Sequence, residues 1–199
     1  MKKTLATAAL MALAAASFVV ADVADNVRKA PEFTFSVPGK GPQSLSQYLG
    51  KVVALEFIFT TCPHCQAASK YMAQMQSKYG SRGLQVIDVA VNPNADLLVE
   101  NFAKDFQVNF PVAWATSDQM TNFMGFPPQR YVVPQLVFID RKGFMHWQTP
   151  NNTEDGAWEK LMNQDAIREH IEQLLSQPAA ASAHSGSRTA KIAAAKKPS

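Results

Sequence analysis

Residues 52–65 read VVALEFIFTTCPHC, and this segment contains both cysteines of the 199-residue chain. Its first part, VVALEFIF, is apolar except for Glu56, a pattern that predicts a strand buried on both faces of a sheet. Beyond Cys65, apolar residues recur at helical spacing as far as Tyr79, and Gly80 can end that helix. The sequence therefore predicts a buried strand that leads into a helix, with the two cysteines at the junction.

Apolar patterns along the rest of the chain predict an α/β protein. Further strands are predicted at 31–37, 84–91 and 110–112, with a hairpin of 135–139 and 144–148. Further helices are predicted at 44–50, with a capping box from Ser44, at 97–106, and at 117–124, with Ser117 as its cap. The last helix is predicted within 154–175. This order predicts a central mixed sheet flanked by helices, with a short β extension at the N-terminal side.

The two ends of the chain differ in composition from its middle. Residues 1–21 start with Lys2 and Lys3 and continue as an Ala-rich apolar run, which predicts an export signal cleaved before Asp22. The alternative is an uncleaved membrane anchor, for which the run is slightly short and weakly apolar. Residues 177–199 are mostly Ala, Ser, Lys and Pro, a composition typical of a disordered tail. One folded domain is predicted between them, at 31–176.

The distribution of charge argues against a nucleic-acid-binding protein. All 16 acidic residues lie between residues 22 and 176, whereas the two ends contain basic residues only. The net charge of +3 therefore comes from the ends, and the predicted domain has no basic footprint for nucleic acid. Export would place this domain in the periplasm or another extracytoplasmic space, where disulfides can form and persist.

The spacing of Cys62 and Cys65 predicts a reactive pair. Residues three apart share a helix face, so the two sulfurs can form a disulfide. Because this disulfide closes a very short loop, it would contribute only on the order of 2 kcal/mol to stability, and reactivity explains the pair better than bracing does. At the start of a helix, unpaired N–H groups and the helix dipole favour a thiolate on Cys62. Cys65, one turn deeper, is then the buried resolving thiol.

The residues between the cysteines fit this interpretation. Pro63 suits the first helical turn, where the missing N–H loses no partner. His64 can add positive charge or a hydrogen bond at the Cys62 sulfur, and the alternative is an unrelated surface histidine. A structural zinc site would need about four Cys or His ligands, of which this motif supplies two. We therefore predict a redox centre without a metal or another cofactor.

Glu56 is the other unusual residue of the segment. Burying an unpaired carboxylate is costly and would raise the pKa of Glu56. A carboxyl held near neutrality could accept a proton from Cys65 during exchange. In the alternative, Glu56 points outward from a sheet edge and is satisfied by water or a lysine. The spacing leaves both placements open.

The segment resembles the active-site strand and motif of thioredoxin-like proteins. In that family a buried acid lies six residues before the first cysteine, as Glu56 does here, and the CPHC tetrapeptide is similar to that of DsbA-type oxidants. The wider layout is similar to the TlpA/redoxin branch, with SLSQYLGKVVALEF, FAKDFQVNFPV and VPQLVFIDRKG. The last stretch resembles the cis-proline strand of the family. This resemblance implies that Pro134 is the cis residue and that it docks the substrate backbone together with Val133.

Several positions depart from relatives of this kind. Thr61 stands where many relatives have tryptophan, and Ala68 stands where some cytochrome-maturation reductases have an acid. Leu55 and Phe59 occupy the proline and Ser/Thr positions of the peroxidase pattern P-x-x-x-[ST]-x-x-C. The differences at Leu55 and Phe59 argue against a peroxidase mechanism.

The resemblance implies a thiol:disulfide oxidoreductase acting on protein thiols or disulfides, with a membrane or soluble redox partner that recycles it. The CPHC motif and the valine before Pro134 favour an oxidant, whereas the redoxin layout favours a reductase, including one for cytochrome c maturation. A different class is a copper-binding assembly factor of the SCO kind that uses Cys62, Cys65 and a distant histidine such as His146. SCO proteins have C-x-x-x-C spacing, which this chain lacks.

Overall fold

The computed structural model describes residues 27–128 and 130–178. The strands are β1 Arg28–Lys29, β2 Thr34–Val37, β3 Gly41–Ser44, β4 Val52–Ile58, β5 Leu84–Ala90, β6 Val112–Trp114, β7 Gln135–Ile139 and β8 Phe144–Gln148. The helices are α1 Pro63–Tyr79, α2 Ala95–Asp105, α3 Ser117–Met124, α4 Ala157–Met162 and α5 Gln164–Ser176, with 3-10 turns at Leu45–Tyr48 and Gly80–Arg82. The predicted signal segment 1–21 and nearly all of the predicted tail lie outside the described residues.

The strands form one mixed sheet in the order β1-β8-β7-β4-β5-β6-β2-β3. Strand β4 lies near the middle, parallel to β5 and antiparallel to β7, and all seven of its residues are buried. The predicted N-terminal extension covers both edges, because β1 pairs with β8 while β2 and β3 continue the sheet beyond β6. The predicted α/β class with a central mixed sheet is confirmed.

Helices cover both faces of this sheet. On one face, α1 and α5 pack on alternate residues of β4 and β7, such as Val52, Ala54 and Leu136. On the other face, α3 packs with β2 around Phe57 and Phe123. A strand covered on both faces must be apolar at nearly every position, which explains why β4 shows no polar alternation.

Several helix ends differ from their predicted positions. Helix α2 begins at Ala95, two residues before the predicted start at Leu97. Thr116, rather than Ser117, caps α3 through a capping box with Gln119. Either hydroxyl could serve as a cap, so spacing alone did not distinguish these adjacent residues.

The range 154–175, predicted to contain the last helix, contains the short helix α4 and nearly all of α5. The backbone leaves the helical region at Asn163 (φ −65°, ψ 136°), which separates α4 from α5. The Asn163 side chain accepts a hydrogen bond from the Asp165 N–H at 2.9 Å and so caps α5. A residue with strong capping preference therefore starts a new helix inside an otherwise helical pattern.

The capping box predicted at Ser44 is also absent. The Ser44 side chain makes no cap hydrogen bond and interacts with Glu32 and Ser46, and the segment that follows is a 3-10 turn. The Ser44 hydroxyl, which the sequence spacing predicted to cap the helix, therefore donates to the Glu32 carboxylate instead.

Among the described residues, the structure has no helix that is both long enough and apolar enough to cross a membrane.

Arg141, in the turn between β7 and β8, ties three parts of the fold together. Its Nη1 donates to the carbonyl oxygens of Leu174 at 3.1 Å and Gln177 at 3.0 Å, at the end of α5. Its Nη2 donates to the Arg82 carbonyl at 3.2 Å, just after α1. A guanidinium can serve these acceptors together because its donors form a rigid planar fork.

We expect Arg141→Ala to lower the free energy of unfolding by roughly 1–3 kcal/mol, since carbonyl groups at two helix ends lose a charged donor. Arg141→Lys should restore less than half of that loss, because one ammonium cannot reach the carbonyl groups at the end of α5 and after α1 together. Urea unfolding measures both variants. The control is Lys142→Ala at the exposed neighbouring position, which should stay within about 0.5 kcal/mol of wild type. An Arg141→Lys protein as stable as wild type would contradict this account.

Candidate active site

Helix α1 begins at the first cysteine. Cys62 is its N-cap, with an extended backbone (φ −83°, ψ 119°), and Pro63 occupies the first helical turn. Cys62 is partly exposed, Cys65 is fully buried, and both are free thiols that interact with each other. One sulfur of the pair is therefore accessible to another protein and the other is not.

Backbone and side-chain hydrogen bonds fix the junction between β4 and α1. The Cys62 N–H donates to the Phe59 carbonyl at 3.0 Å. The Thr60 N–H donates to Asn92 Oδ1 at 2.9 Å, and Gln66 Nε2 donates to the Thr60 carbonyl at 3.1 Å. These bonds connect the junction to the loop after β5 and to the first turn of α1, so the position of Cys62 is set by both elements.

The environment of Cys65 favours its neutral thiol. Burial raises the pKa of Cys65 far above its usual value, and the Cys62 and Glu56 groups raise it further. The Phe59 N–H, which donates to Cys65 Sγ at 3.4 Å, acts in the opposite direction and does not outweigh burial. Cys65 can therefore become a nucleophile only when a nearby group takes its proton.

The segment before β7 lies beside Cys62. The Val133–Pro134 peptide bond is cis, and the Val133 carbonyl oxygen lies 4.0 Å from Cys62 Sγ. Trp158 Nε1 donates to the Pro134 carbonyl at 2.9 Å, and the buried Gln135 donates to the Val132 carbonyl at 2.9 Å. These bonds hold Val133 and Pro134 against the thiol.

His64 lies on the solvent side of the motif. Its side chain is exposed and borders a shallow depression lined also by Pro134 and Trp158. The structure thus brings the exposed His64 and the partly exposed Cys62 and Val133 together with the buried Pro134 and Cys65.

Glu56 lies below the cysteines inside the protein. It is fully buried on β4, between β5 and β7, so the alternative placement at a sheet edge is wrong. The Cys62 group raises the pKa of the Glu56 carboxyl, and that carboxyl in turn raises the pKa of Cys65. Glu56 is therefore close enough to the pair for its protonation to respond to theirs.

Sequence reasoning missed a second buried acid, Asp88 on β5. Asp88 is the register partner of Glu56 on the adjacent parallel strand and is also fully buried. Ser69 on α1 donates to Asp88 Oδ2 at 2.6 Å. The available signal was a lone carboxylate in the apolar segment LQVIDVAV, the same feature that singled out Glu56.

Burial is the main cause of the altered pKa values of the two acids. It raises the pKa of Glu56 well above its ordinary value, and the neighbouring Asp88 raises it further. Burial raises the pKa of Asp88 to about 7, although the Ser69 hydrogen bond opposes this change. The carboxyls of Glu56 and Asp88 also interact directly with each other, which raises the pKa of Glu56 and opposes the rise at Asp88. The neutral form of Glu56 is accordingly favoured.

The histidines of the described region do not complete a metal site with the cysteines. His146 Nε2 lies 3.0 Å from Asp140 Oδ2, at the end of β7 opposite to Pro134 and on the order of 15 Å along the strand. His170 stacks on Trp147 with ring centroids 4.0 Å apart. Both His146 and His170 are partly buried, and His184 lies outside the described residues. Residues 27–128 and 130–178 contain no group of three His, Cys, Asp or Glu suited to a metal ion, so a copper site of the SCO kind does not fit.

Comparisons with known proteins agree with this geometry. The AhpC/TSA family model matches residues 27–148. Thiol-disulfide oxidoreductase ResA of Geobacillus thermodenitrificans is 32% identical over 114 residues, which are 57% of this chain and 63% of that protein. The protein of the same name from Bacillus subtilis is also 32% identical over 114 residues, with 57% of this chain and 61% of that protein covered. The match thus spans less than two thirds of these relatives.

Solved structures show the same architecture. A provisionally named thiol:disulfide interchange protein DsbE from Chlorobium tepidum superposes with a TM-score of 0.62 and 26% identity, covering 76% of this chain and 98% of its own. A thioredoxin family protein from Chlorobium tepidum gives a TM-score of 0.60 at 23% identity, covering 75% and 97%. Since the family model spans more than half of its length, the chain belongs to the AhpC/TSA family and has the thioredoxin-like fold that its sequence predicted.

Proposed function

We propose that this protein is a thiol:disulfide oxidoreductase that exchanges its Cys62–Cys65 dithiol or disulfide with protein substrates. The observation that carries the proposal is the accessible Cys62 at the start of α1 above the buried Cys65, with the Val133 carbonyl 4.0 Å from the Cys62 sulfur. The names of its relatives, thiol-disulfide oxidoreductase and thiol:disulfide interchange protein, support it. An accessible thiol at the start of a helix supports exchange with a substrate segment that reaches it.

In the reducing direction, the Cys62 thiolate attacks a substrate disulfide and forms a mixed disulfide, and one substrate sulfur leaves as a thiolate. Cys65 then loses its proton and attacks the Cys62 sulfur, which breaks the bond to the substrate. The substrate ends as a dithiol, and the protein ends with a Cys62–Cys65 disulfide. The oxidising direction is the reverse of these steps, and the two sulfurs carry the electrons without a bound cofactor.

The neighbouring residues have separate roles in this proposal. Val133 and Pro134 align the backbone of the substrate beside the Cys62 sulfur. His64 stabilises the thiolate of Cys62 from the solvent side. Glu56 receives the proton that Cys65 loses, since the carboxyl is buried with that thiol and coupled to it.

The location and partners follow from the predicted export signal. We propose that the signal is cleaved before Asp22 and that the domain at 31–176 acts in the periplasm or another extracytoplasmic space. The substrates are protein thiols or disulfides of that space, among them cysteines of cytochromes c that await haem. A membrane or soluble redox partner returns the Cys62–Cys65 pair to its starting state.

A trapping experiment tests the order of the two cysteines. Cys65→Ser should accumulate a mixed disulfide through Cys62 with a disulfide-bonded model peptide, because nothing remains to resolve it. Cys62→Ser should form no adduct, because Cys65 is buried. Non-reducing electrophoresis and mass spectrometry identify the adducts. Adducts that form on Cys65 in the Cys62→Ser protein would overturn the assigned roles.

The reduction potential measures the direction of exchange and the effect of His64. We expect a reversible two-electron couple in glutathione buffers, with a reduction potential of about −120 mV for an oxidant or about −270 mV for a reductant. His64→Ala should make the potential more negative by about 30 mV for each 1.4 kcal/mol of lost thiolate stabilisation. Ala67→Ser, at an exposed position of the same turn, is the control and should leave the potential unchanged. The absence of any reversible couple would refute the proposed function.

A further inference from the structure

Packing of the sheet does not require the two buried acids Glu56 and Asp88. Two carboxyls lie side by side in the middle of the sheet, both with 0% exposure. Burying one ionised carboxylate is costly, and burying two adjacent ones adds their mutual repulsion. An apolar pair at these positions would be more stable, so the pair points to a role in the chemistry above it.

The geometry places this pair beneath the resolving cysteine. Cys65 and Ser69 are four residues apart on α1 and share its buried face. Ser69 contacts Asp88 directly, and in-register residues of parallel strands point to the same side of a sheet. Glu56 therefore lies on the α1 side of the sheet, beside Asp88, and interacts electrostatically with both cysteines.

No basic group neutralises these carboxyls. The neighbouring strands place the apolar Leu136 of β7 beside Glu56 and Val112 of β6 beside Asp88. Helix α1 contributes the Cys62 and Cys65 thiols and a serine hydroxyl. In the part of the chain that the structure describes, neither carboxyl forms an ion pair with a lysine, arginine or histidine. A proton is the remaining means of removing one of the two charges.

We propose that Asp88 is a positioning residue that shares one proton with Glu56 and makes the pair a relay for the proton of Cys65. This inference rests on the proposed dithiol–disulfide exchange and adds a residue to its resolving step. The resting pair has the proton on Glu56 and the negative charge on Asp88, which the Ser69 hydroxyl stabilises.

In the reducing direction, the Cys65 proton moves to Glu56 while the proton already on Glu56 moves to Asp88. The resulting Cys65 thiolate attacks the Cys62 sulfur of the mixed disulfide, and the substrate sulfur leaves with the electron pair of the broken bond. The pair, now carrying two protons, later releases one to solvent. In the oxidising direction the pair returns a proton to Cys65 as that sulfur leaves the disulfide.

This arrangement gives the buried thiol a base suited to neutral pH. The acceptor at the end of the relay is Asp88, whose pKa burial raises to about 7. A base is most effective when its pKa is near the working pH. Burial raises the pKa of Glu56 well above its ordinary value and favours its neutral form, so this carboxyl can take the Cys65 proton only when it passes its own proton on.

The decisive experiment measures the pH dependence of the resolving step, followed as release of a model peptide from its mixed disulfide with Cys62. In wild type the rate should rise through a midpoint near pH 7. Asp88→Asn should slow the step at pH 7 and raise that midpoint by about one pH unit or more, because burial keeps Glu56 neutral and no carboxylate is left to receive its proton. Ser69→Ala should raise the midpoint, because the charge on Asp88 loses its hydrogen bond. Glu56→Gln should slow the step at least tenfold and remove the midpoint.

The control is Asp96→Asn, which removes an exposed carboxyl at the start of α2 and should leave the profile unchanged. Equal midpoints in wild type, Asp88→Asn and Ser69→Ala would overturn the relay while leaving the exchange function intact. A wild-type protein that shows no exchange at any pH would instead refute the proposed function.

The pH dependence of stability tests the shared proton without using exchange. The folded protein binds the protons of both acids more tightly than the unfolded chain does, so their contribution is fully present below the unfolded pKa values, near 4. It is lost as pH rises through the folded value of about 7 for Asp88. Asp88→Asn and Glu56→Gln should therefore gain at least about 1 kcal/mol relative to wild type between pH 4 and 8 by urea unfolding. Parallel curves for wild type and both variants would contradict the shared proton.

Discussion

The complete burial of β4 governs the rest of the architecture. Each of its seven residues is covered, by β5 and β7 at its sides and by helices or other strands above and below. Alternate side chains of this one strand belong to different cores, with Leu55 and Phe57 on one face and Val52 and Ala54 on the other. Because β4 leads directly into α1, the packing that fixes the strand also fixes where the cysteines emerge.

A charged residue inside such a strand opposes stability, and its presence has to be explained by what it does. Glu56 lies among apolar neighbours with no basic partner in the described chain, and Asp88 is a second buried acid without such a partner on the next strand. Natural sequences break local stability rules chiefly at functional sites. The conflict therefore marks the region below Cys65 as part of the reacting centre and not only as its support.

The sequence predicted the features that depend on local pattern. Periodicity located β4, α1 and the hairpin, and cysteine spacing located the redox pair. It could not pair Glu56 with Asp88, because their contact depends on the register of two strands that are 32 positions apart in the sequence. Caps were also ambiguous, because a hydroxyl can bond to another side chain, as Ser44 does with Glu32. Long-range hydrogen bonds such as those of Arg141 left no local pattern at all.

The AhpC/TSA scaffold does not by itself select the chemistry, because the same strand–helix junction can present different side chains to a reacting sulfur. Leu55 and Phe59 stand at the proline and Ser/Thr positions of the peroxidase pattern, so those groups cannot assist a peroxidatic thiol here. What the junction does present is one accessible thiol, one buried thiol and a buried acid pair. In the proposed exchange, the buried thiol is protected from substrates and reacts only with Cys62 after losing its proton. The difference in burial between two cysteines one helical turn apart therefore supports the proposed order of the reaction.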